Sequence, residues 1–232
     1  MGTTKSYEVW KAEFIDSMGD ELGELMAFFW SELAHLNRSW CNYLSIYNSG
    51  TNLKIVNDNC PSFFWHYQHM FREHFVISII RLTEVNKRGQ ASLHKLKELI
   101  DKEVCKDVIT EQLEGLKVLT EGLSFTRNNY YAHYSYKKKI LSKGHKLKGT
   151  AKEDIENVLK KMSEIINTVL KHYMKSSTPF FALEEGYGAN GLVAIIAQAQ
   201  LFEKLNYNRK LNKEITPAMW DWQSLLRGND ES

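Results

Sequence analysis

Only three prolines, Pro61, Pro179 and Pro217, punctuate the 232 residues of this chain. Proline removes a backbone donor and its ring clashes inside a helix, so its scarcity leaves long stretches in which nothing stops one. Large apolar residues fill those stretches at helical spacing. Trp10, Phe14, Met18, Leu22, Leu25, Phe29, Leu33, Leu36 and Trp40 recur three or four apart and predict one long amphipathic helix from Trp10 through Tyr47. No segment shows convincing strand alternation.

The same spacing places the later elements. Ser49-Gly50-Thr51-Asn52 reads as the end of the first helix and Asn57 to Pro61 as a turn, so the first connection is expected to be short. A second helix is predicted from about Ser62 to Asn86, and a shorter one carries Leu93, Leu96, Leu99 and Ile100. Another runs from about Lys106 to Leu123. Thr150-Ala151-Lys152-Glu153 has the form of a capping box opening a helix through Tyr173. Leu192 to Leu205 is apolar and Ala-rich on several sides, which suits a buried helix, and Thr216-Pro217 resembles an N-cap followed by proline at the first helical position. The expectation is an all-α, antiparallel bundle of about six to seven helices, forming one domain over 1–232 with its core at about 10–206 and a C-terminal extension at 207–232.

Composition excludes several classes. A hydrophobic fraction of 43% and a charged fraction of 25% are those of a globular protein, and a net charge of +2 is too small to identify a nucleic-acid binder. Cys41, Cys60 and Cys105 are odd in number and widely spaced, which signals neither a disulfide framework nor a zinc site and predicts a reducing cytoplasm. No export signal opens the chain, and no run approaches the ~20 apolar residues that span a bilayer.

One segment departs from core chemistry. In Arg127-Asn128-Asn129-Tyr130-Tyr131-Ala132-His133, three hydrogen-bonding side chains precede two aromatics and a titratable imidazole. On a regular helix Asn129 and His133 share a face, so Asn129 can orient the ring, whereas Arg127 and His133 differ by about 120° in azimuth. Two copies related by a two-fold axis would bring both pairs into one groove. Without a metal, Arg and His suit cleavage of RNA by its own 2′-hydroxyl: imidazole moves the proton and guanidinium holds the developing phosphorane charge.

These residues resemble the HEPN proteins, in which an Arg and a His are separated by four to six residues, usually with a polar residue after the Arg. Arg127, Asn128 and His133 fit that pattern. The run Ser78-Ile79-Ile80-Arg81-Leu82-Thr83-Glu84 upstream is similar to the AbiU-type abortive-infection family within it. The resemblance covers roughly Phe14 to Leu205. It implies a bundle-shaped homodimer in phage defence or toxin-antitoxin biology, with Arg127 and His133 as a ribonuclease pair and Asn128 or Asn129 in support. It leaves any antitoxin or defence partner unidentified. HEPN toxins silenced by a nucleotidyltransferase carry Tyr two positions after the His; Ser135 stands there in this chain, so that regulation is not carried over.

Downstream, Lys137, Lys138, Lys139, Lys143, Lys146 and Lys148 lie in a stretch without a carboxylate from Asn128 through Lys152. Such a stretch either neutralises RNA phosphates, with Tyr130 and Tyr134 stacking on bases, or is an ordinary solvated loop. Arg81 and Glu84 either pair at a surface or brace Arg127. His66, His69 and Glu73 have helical ligand spacing, but no second ligand pair accompanies them, so no metal and no cofactor are called for. Gly186-Tyr187-Gly188 lacks the context of a nucleotide loop and reads as a linker. Besides the nuclease, the sequence permits a non-catalytic HEPN module that binds a partner protein or RNA, and a structural subunit of a larger complex.

Overall fold

Glycine, rather than proline, makes the first break. Helix α1 (Tyr7–Met18) ends at Gly19, whose φ of 81° lies in the left-handed region that a side chain disfavours, and α2 (Asp20–Tyr47) starts on its far side. The single helix expected from Trp10 to Tyr47 is therefore a helical hairpin. Its arms are antiparallel: Lys11 pairs with Glu24 at 3.1 Å, and the Trp10 and Trp30 rings lie 5.5 Å apart. The crossing is tightest at Gly23, where a Cβ would fall 2.5 Å from the Ile15 Cα.

The computed structural model describes residues 6–85, 91–131, 150–180 and 188–211, and among them it is all-α, with eight α-helices and one π-helical turn. Helix α3 spans Gly50–Asn59, where the sequence reading placed a helix end and a turn. The Ser49 hydroxyl accepts from the Asn52 backbone N–H, and the Asn52 side chain donates to the Ser45 carbonyl at 2.7 Å, so the polar residues that argued against a helix secure its start. Val56 anchors it in a small satellite core with Ile46, Phe64 and Val193.

Helix α4 (Pro61–Thr83) runs antiparallel to α2, with contacts in reverse order along the pair: Glu32 with Arg81, Trp40 with Phe75, Tyr43 with Phe71, and Tyr47 donating to the Phe64 carbonyl at 2.7 Å. After the short α5 (Leu93–Leu99), α6 (Glu103–Thr126) and α7 (Lys152–Met174) form a second antiparallel pair. Lys102 reaches the His172 carbonyl at one end, and Gln112 meets Thr168 farther along at 3.2 Å. Phe14, Phe29 and Phe75 are fully enclosed in the main core, each contributing about 1.5–3 kcal/mol by leaving water.

Two expectations fail at helix ends and surfaces. Helix α7 opens with Ala151 in the N-cap position, one residue later than a Thr150 cap predicts, and Glu153 and Asp154 in its first turn complement the helix dipole. Helix α8 (Ala189–Leu211) packs on α2 and α3 through few residues. Val193 is buried, but Leu192, Ile195, Leu201, Phe202 and Leu205 are exposed, so α8 is a surface helix and not the buried one expected. Among the described residues no helix is long and apolar enough to cross a membrane. The expected helix after Thr216 lies outside the described residues.

Candidate functional site

The Arg127 motif grows directly out of α6. Leu123 and Thr126 are enclosed, which anchors the underside of the last α turn, and the Arg127 backbone N–H bonds to the carbonyls of Leu123 and Ser124. From Arg127 to Tyr131 the chain then widens into a π turn. Such turns are rare and commonly mark functional positions. The azimuths of a regular α-helix therefore do not apply across the motif, because hydrogen bonds there close five residues apart.

Each motif side chain takes a distinct place. The Arg127 guanidinium is about one quarter exposed and donates from Nη2 to a Glu84 carboxylate oxygen, while its Nε is buried with no partner among the described residues. Asn128 is exposed. One Asn129 amide hydrogen is committed to the Phe125 carbonyl at 2.7 Å. Tyr130 lies against Phe125 with ring centroids 6.5 Å apart, and Tyr131 packs on the main core. Burial raises the Tyr131 phenol above its ordinary value, Arg72 opposes that and Glu73 adds to it, so the ring is a neutral wedge between core and surface. His133, Tyr134, Lys137, Lys138 and Lys139 lie outside the described residues.

The upstream run supplies one of its two charged residues to the motif. Glu84 caps the C-terminal end of α4, where the chain leaves the helix at φ −74° and ψ 147°, and this turns its carboxylate onto Arg127. Arg81 does not reach Arg127 or Glu84. It donates to Glu32 on α2 at 2.9 Å, an exposed pair that ties the two helices and is worth at most ~1 kcal/mol. Glu32 carried no signal in the sequence, because its partner comes from an antiparallel helix and not from its own.

The π turn packs against α4, where Arg127 meets Glu84, and Tyr131 lies within the electrostatic influence of Arg72 and Glu73. Elsewhere, α2, α4 and the start of α7 converge on a cavity of about 170 Å³ lined by Trp40, Tyr43, Tyr47, Arg72 and Lys152, with Leu44, Asn48, Gln68, Thr150 and Ile155 completing it. Arg72 donates to the Tyr43 hydroxyl at 3.0 Å, and Gln68 does so at 3.3 Å. Burial pushes the Tyr47 phenol up to about 12, so it stays neutral. Sequence reasoning missed this cavity because its residues belong to three separate helices. Among the described residues, no three His, Cys, Asp or Glu side chains are grouped to hold a metal ion.

The family model HEPN_AbiU2, described as AbiU2, matches residues 19–191, from the turn between α1 and α2 to the start of α8, and so includes both Glu84 and the π turn. No curated protein and no solved structure matches the chain.

Proposed function

The chain belongs to the AbiU2 abortive-infection family of HEPN modules, and on that premise we propose that it is a metal-independent endoribonuclease that works as a homodimer in phage defence. The observation that carries this reading is the Glu84 carboxylate on Arg127 within an otherwise rare π turn. A guanidinium fixed at a surface, beside exposed Asn128, is suited to meeting a phosphate in one orientation.

In the proposed reaction the His133 imidazole takes the proton of a ribose 2′-hydroxyl. The freed oxygen attacks the adjacent phosphorus, and the bond to the 5′-oxygen breaks. That oxygen leaves with a proton from the imidazolium of either copy, giving a 2′,3′-cyclic phosphate and a 5′-hydroxyl. Arg127 stabilises the phosphorane charge between these steps. A two-fold axis beside the motif would supply the second Arg127 and His133.

Cleavage of single-stranded RNA in the presence of a chelator tests the reading. His133→Ala is expected to lower the rate by about 10²–10⁴-fold, and a 2′-deoxy nucleotide at the cut site should abolish cutting there. Undiminished cutting by His133→Ala, or cutting of the deoxy linkage, would overturn it. The second reading, a non-catalytic HEPN module that binds RNA or a partner protein, is favoured by the burial of the Arg127 Nε, which leaves less of the guanidinium to meet a phosphate. RNA bound but uncut by a verified dimer would establish that reading instead.

A further inference from the structure

Helix α4 is apolar on more than one side. Phe71, Phe75 and Ile79 face the core, yet Phe63, Met70 and Ile77, spaced seven apart, are 63%, 57% and 40% exposed. His66 and Glu73 follow Phe63 and Met70 by three residues and are exposed too, so the stripe alternates steps of three and four like the seam of a coiled coil. A helix apolar all round is ordinarily enclosed on every side. Here, among the described residues, no element covers the stripe. It leads into Glu84, seven residues beyond Ile77, and so ends at the carboxylate that meets Arg127.

Size and chemistry suit a protein partner. Trp65, also 63% exposed, flanks the stripe with its ring 4.3 Å from His69. Aromatic side chains bury 150–250 Å² each, so Phe63 and Trp65 together offer roughly 200–300 Å², and Met70 and Ile77 bring the apolar patch to about 400–500 Å². That is more than half of the ~800 Å² that a standard interface takes from each partner, and the histidines around it extend the footprint. Aliphatic side chains and the carboxylates of Glu73 and Glu84 repel RNA phosphates rather than attract them.

We infer that a second copy of this chain covers the stripe, with the two α4 helices antiparallel about a two-fold axis that crosses α4 between Met70 and Ile77. Such an axis lays the same surface against itself, and the even spacing of Phe63, Met70 and Ile77 lets the patch match its own reverse. Charge selects the direction. Glu73 is the only carboxylate between Phe63 and Ile77, and at any register in that interval it falls opposite a turn carrying His69, His74 or Arg81 of the second copy. Parallel helices would set Glu73 against its own like charge, which is costly at an interface. The axis also carries whatever packs beside α4 in one copy to the same side of the pair in the other, so both π turns border one surface. That two copies are needed for cutting rests on the ribonuclease reading; the self-complementary stripe does not.

Sedimentation equilibrium of the full chain over a range of concentrations tests the surface. The unaltered protein is expected to dimerise, and Met70→Asp or Ile77→Asp to raise the dissociation constant about 100-fold or more, because the symmetric pair carries each change twice. Both side chains are exposed, so circular dichroism should show the fold unchanged. Val118→Asp, at a position 68% exposed on α6, is the control and should dimerise normally. A monomeric unaltered protein, or dimers that both stripe variants leave intact, would overturn the surface. In a Cys41→Ser background, spin labels on the exposed Cys60 would lie about 30–50 Å apart across the pair at ~1.5 Å per residue and should not broaden one another. Labels on His74→Cys, with Cys60→Ser, should; broadening at Cys60 would overturn the antiparallel arrangement. A monomeric Met70→Asp that cuts RNA undiminished would support the surface and refute the paired nuclease, whereas intact dimers in both stripe variants, with cutting lost only in His133→Ala, would do the reverse.

Discussion

Replacing Gly23 by alanine should loosen the α1–α2 hairpin even though alanine is the better helix former. The added Cβ would lie 2.5 Å from the Ile15 Cα, 2.6 Å from the Ile15 nitrogen and 2.8 Å from the Phe14 carbonyl carbon. All three are backbone atoms, so no side-chain rotation gives relief. Ordinary contact between carbons needs ~3.5–4.0 Å, so α1 must move off by about one ångström, disturbing Phe14, which is fully enclosed. Overpacking of this kind costs roughly 1–3 kcal/mol, and two rigid backbones place it near the upper end. Helix propensity returns about 1 kcal/mol. The net loss is about 2 kcal/mol, a fall in Tm of roughly 4–8 °C for a chain of this length.

Thermal and urea unfolding followed by circular dichroism measure this change, with both proteins at the same concentration because association shifts apparent stability. Gly115→Ala is the control. It lies within α6, and its Cβ would meet only the flexible end of Lys161 at 3.5 Å, so it should gain up to about 1 kcal/mol. If Gly23→Ala matches Gly115→Ala in stability, the close approach of α1 and α2 does not constrain position 23 and the reasoning is wrong.

Further outcomes follow from the site and the core. Glu84→Gln removes the charge that holds Arg127 but keeps a hydrogen-bonding side chain. Cleavage should fall by about ten- to a hundredfold through misplacement of the guanidinium, while stability changes by less than ~1 kcal/mol because the pair is partly exposed. Equal losses of activity and fold would refute the positioning role. Tyr47 and Tyr173 are both raised from the ordinary 10.0 to about 12, chiefly by burial. The folded state therefore holds them protonated, their contribution is complete below pH 10, and stability should decline as pH rises from about 10 to 12. Unfolding monitored together with tyrosinate absorbance checks this; ionisation of both phenols near pH 10 without loss of structure would contradict it.

The sequence displayed helices well and their interruptions poorly. Met18 and Leu22 are four apart, so apolar spacing continues in phase across Gly19, and a hairpin reads as one rod; only the backbone angle at Gly19 marks the reversal. In α3, local propensity argued for a turn, but Ser49, Asn52 and the enclosed Val56 outweigh it through bonds and packing. The Ala-rich pattern of α8 fits burial and exposure equally, since periodicity does not reveal which neighbours arrive. In the motif, Arg127 and Glu84 stood out by type, and the fold joins them. Arg81 shared that prominence and binds Glu32 instead, because pairing across antiparallel helices depends on a register that no local pattern encodes. Trp40, Arg72 and Lys152 are far apart in sequence, and convergence of that kind becomes visible only in three dimensions.

The widened winding after α6 also bears on tolerance to length change. A turn closed across five residues holds one residue more than its tighter counterpart, so removing a single residue there permits relaxation into ordinary coiling rather than collapse. The guanidinium would keep its anchor on α4 because it precedes the alteration, while everything following would be rotated and drawn back. This gives a physical means by which the interval between arginine and histidine can vary among HEPN sequences without dismantling the scaffold that presents the arginine.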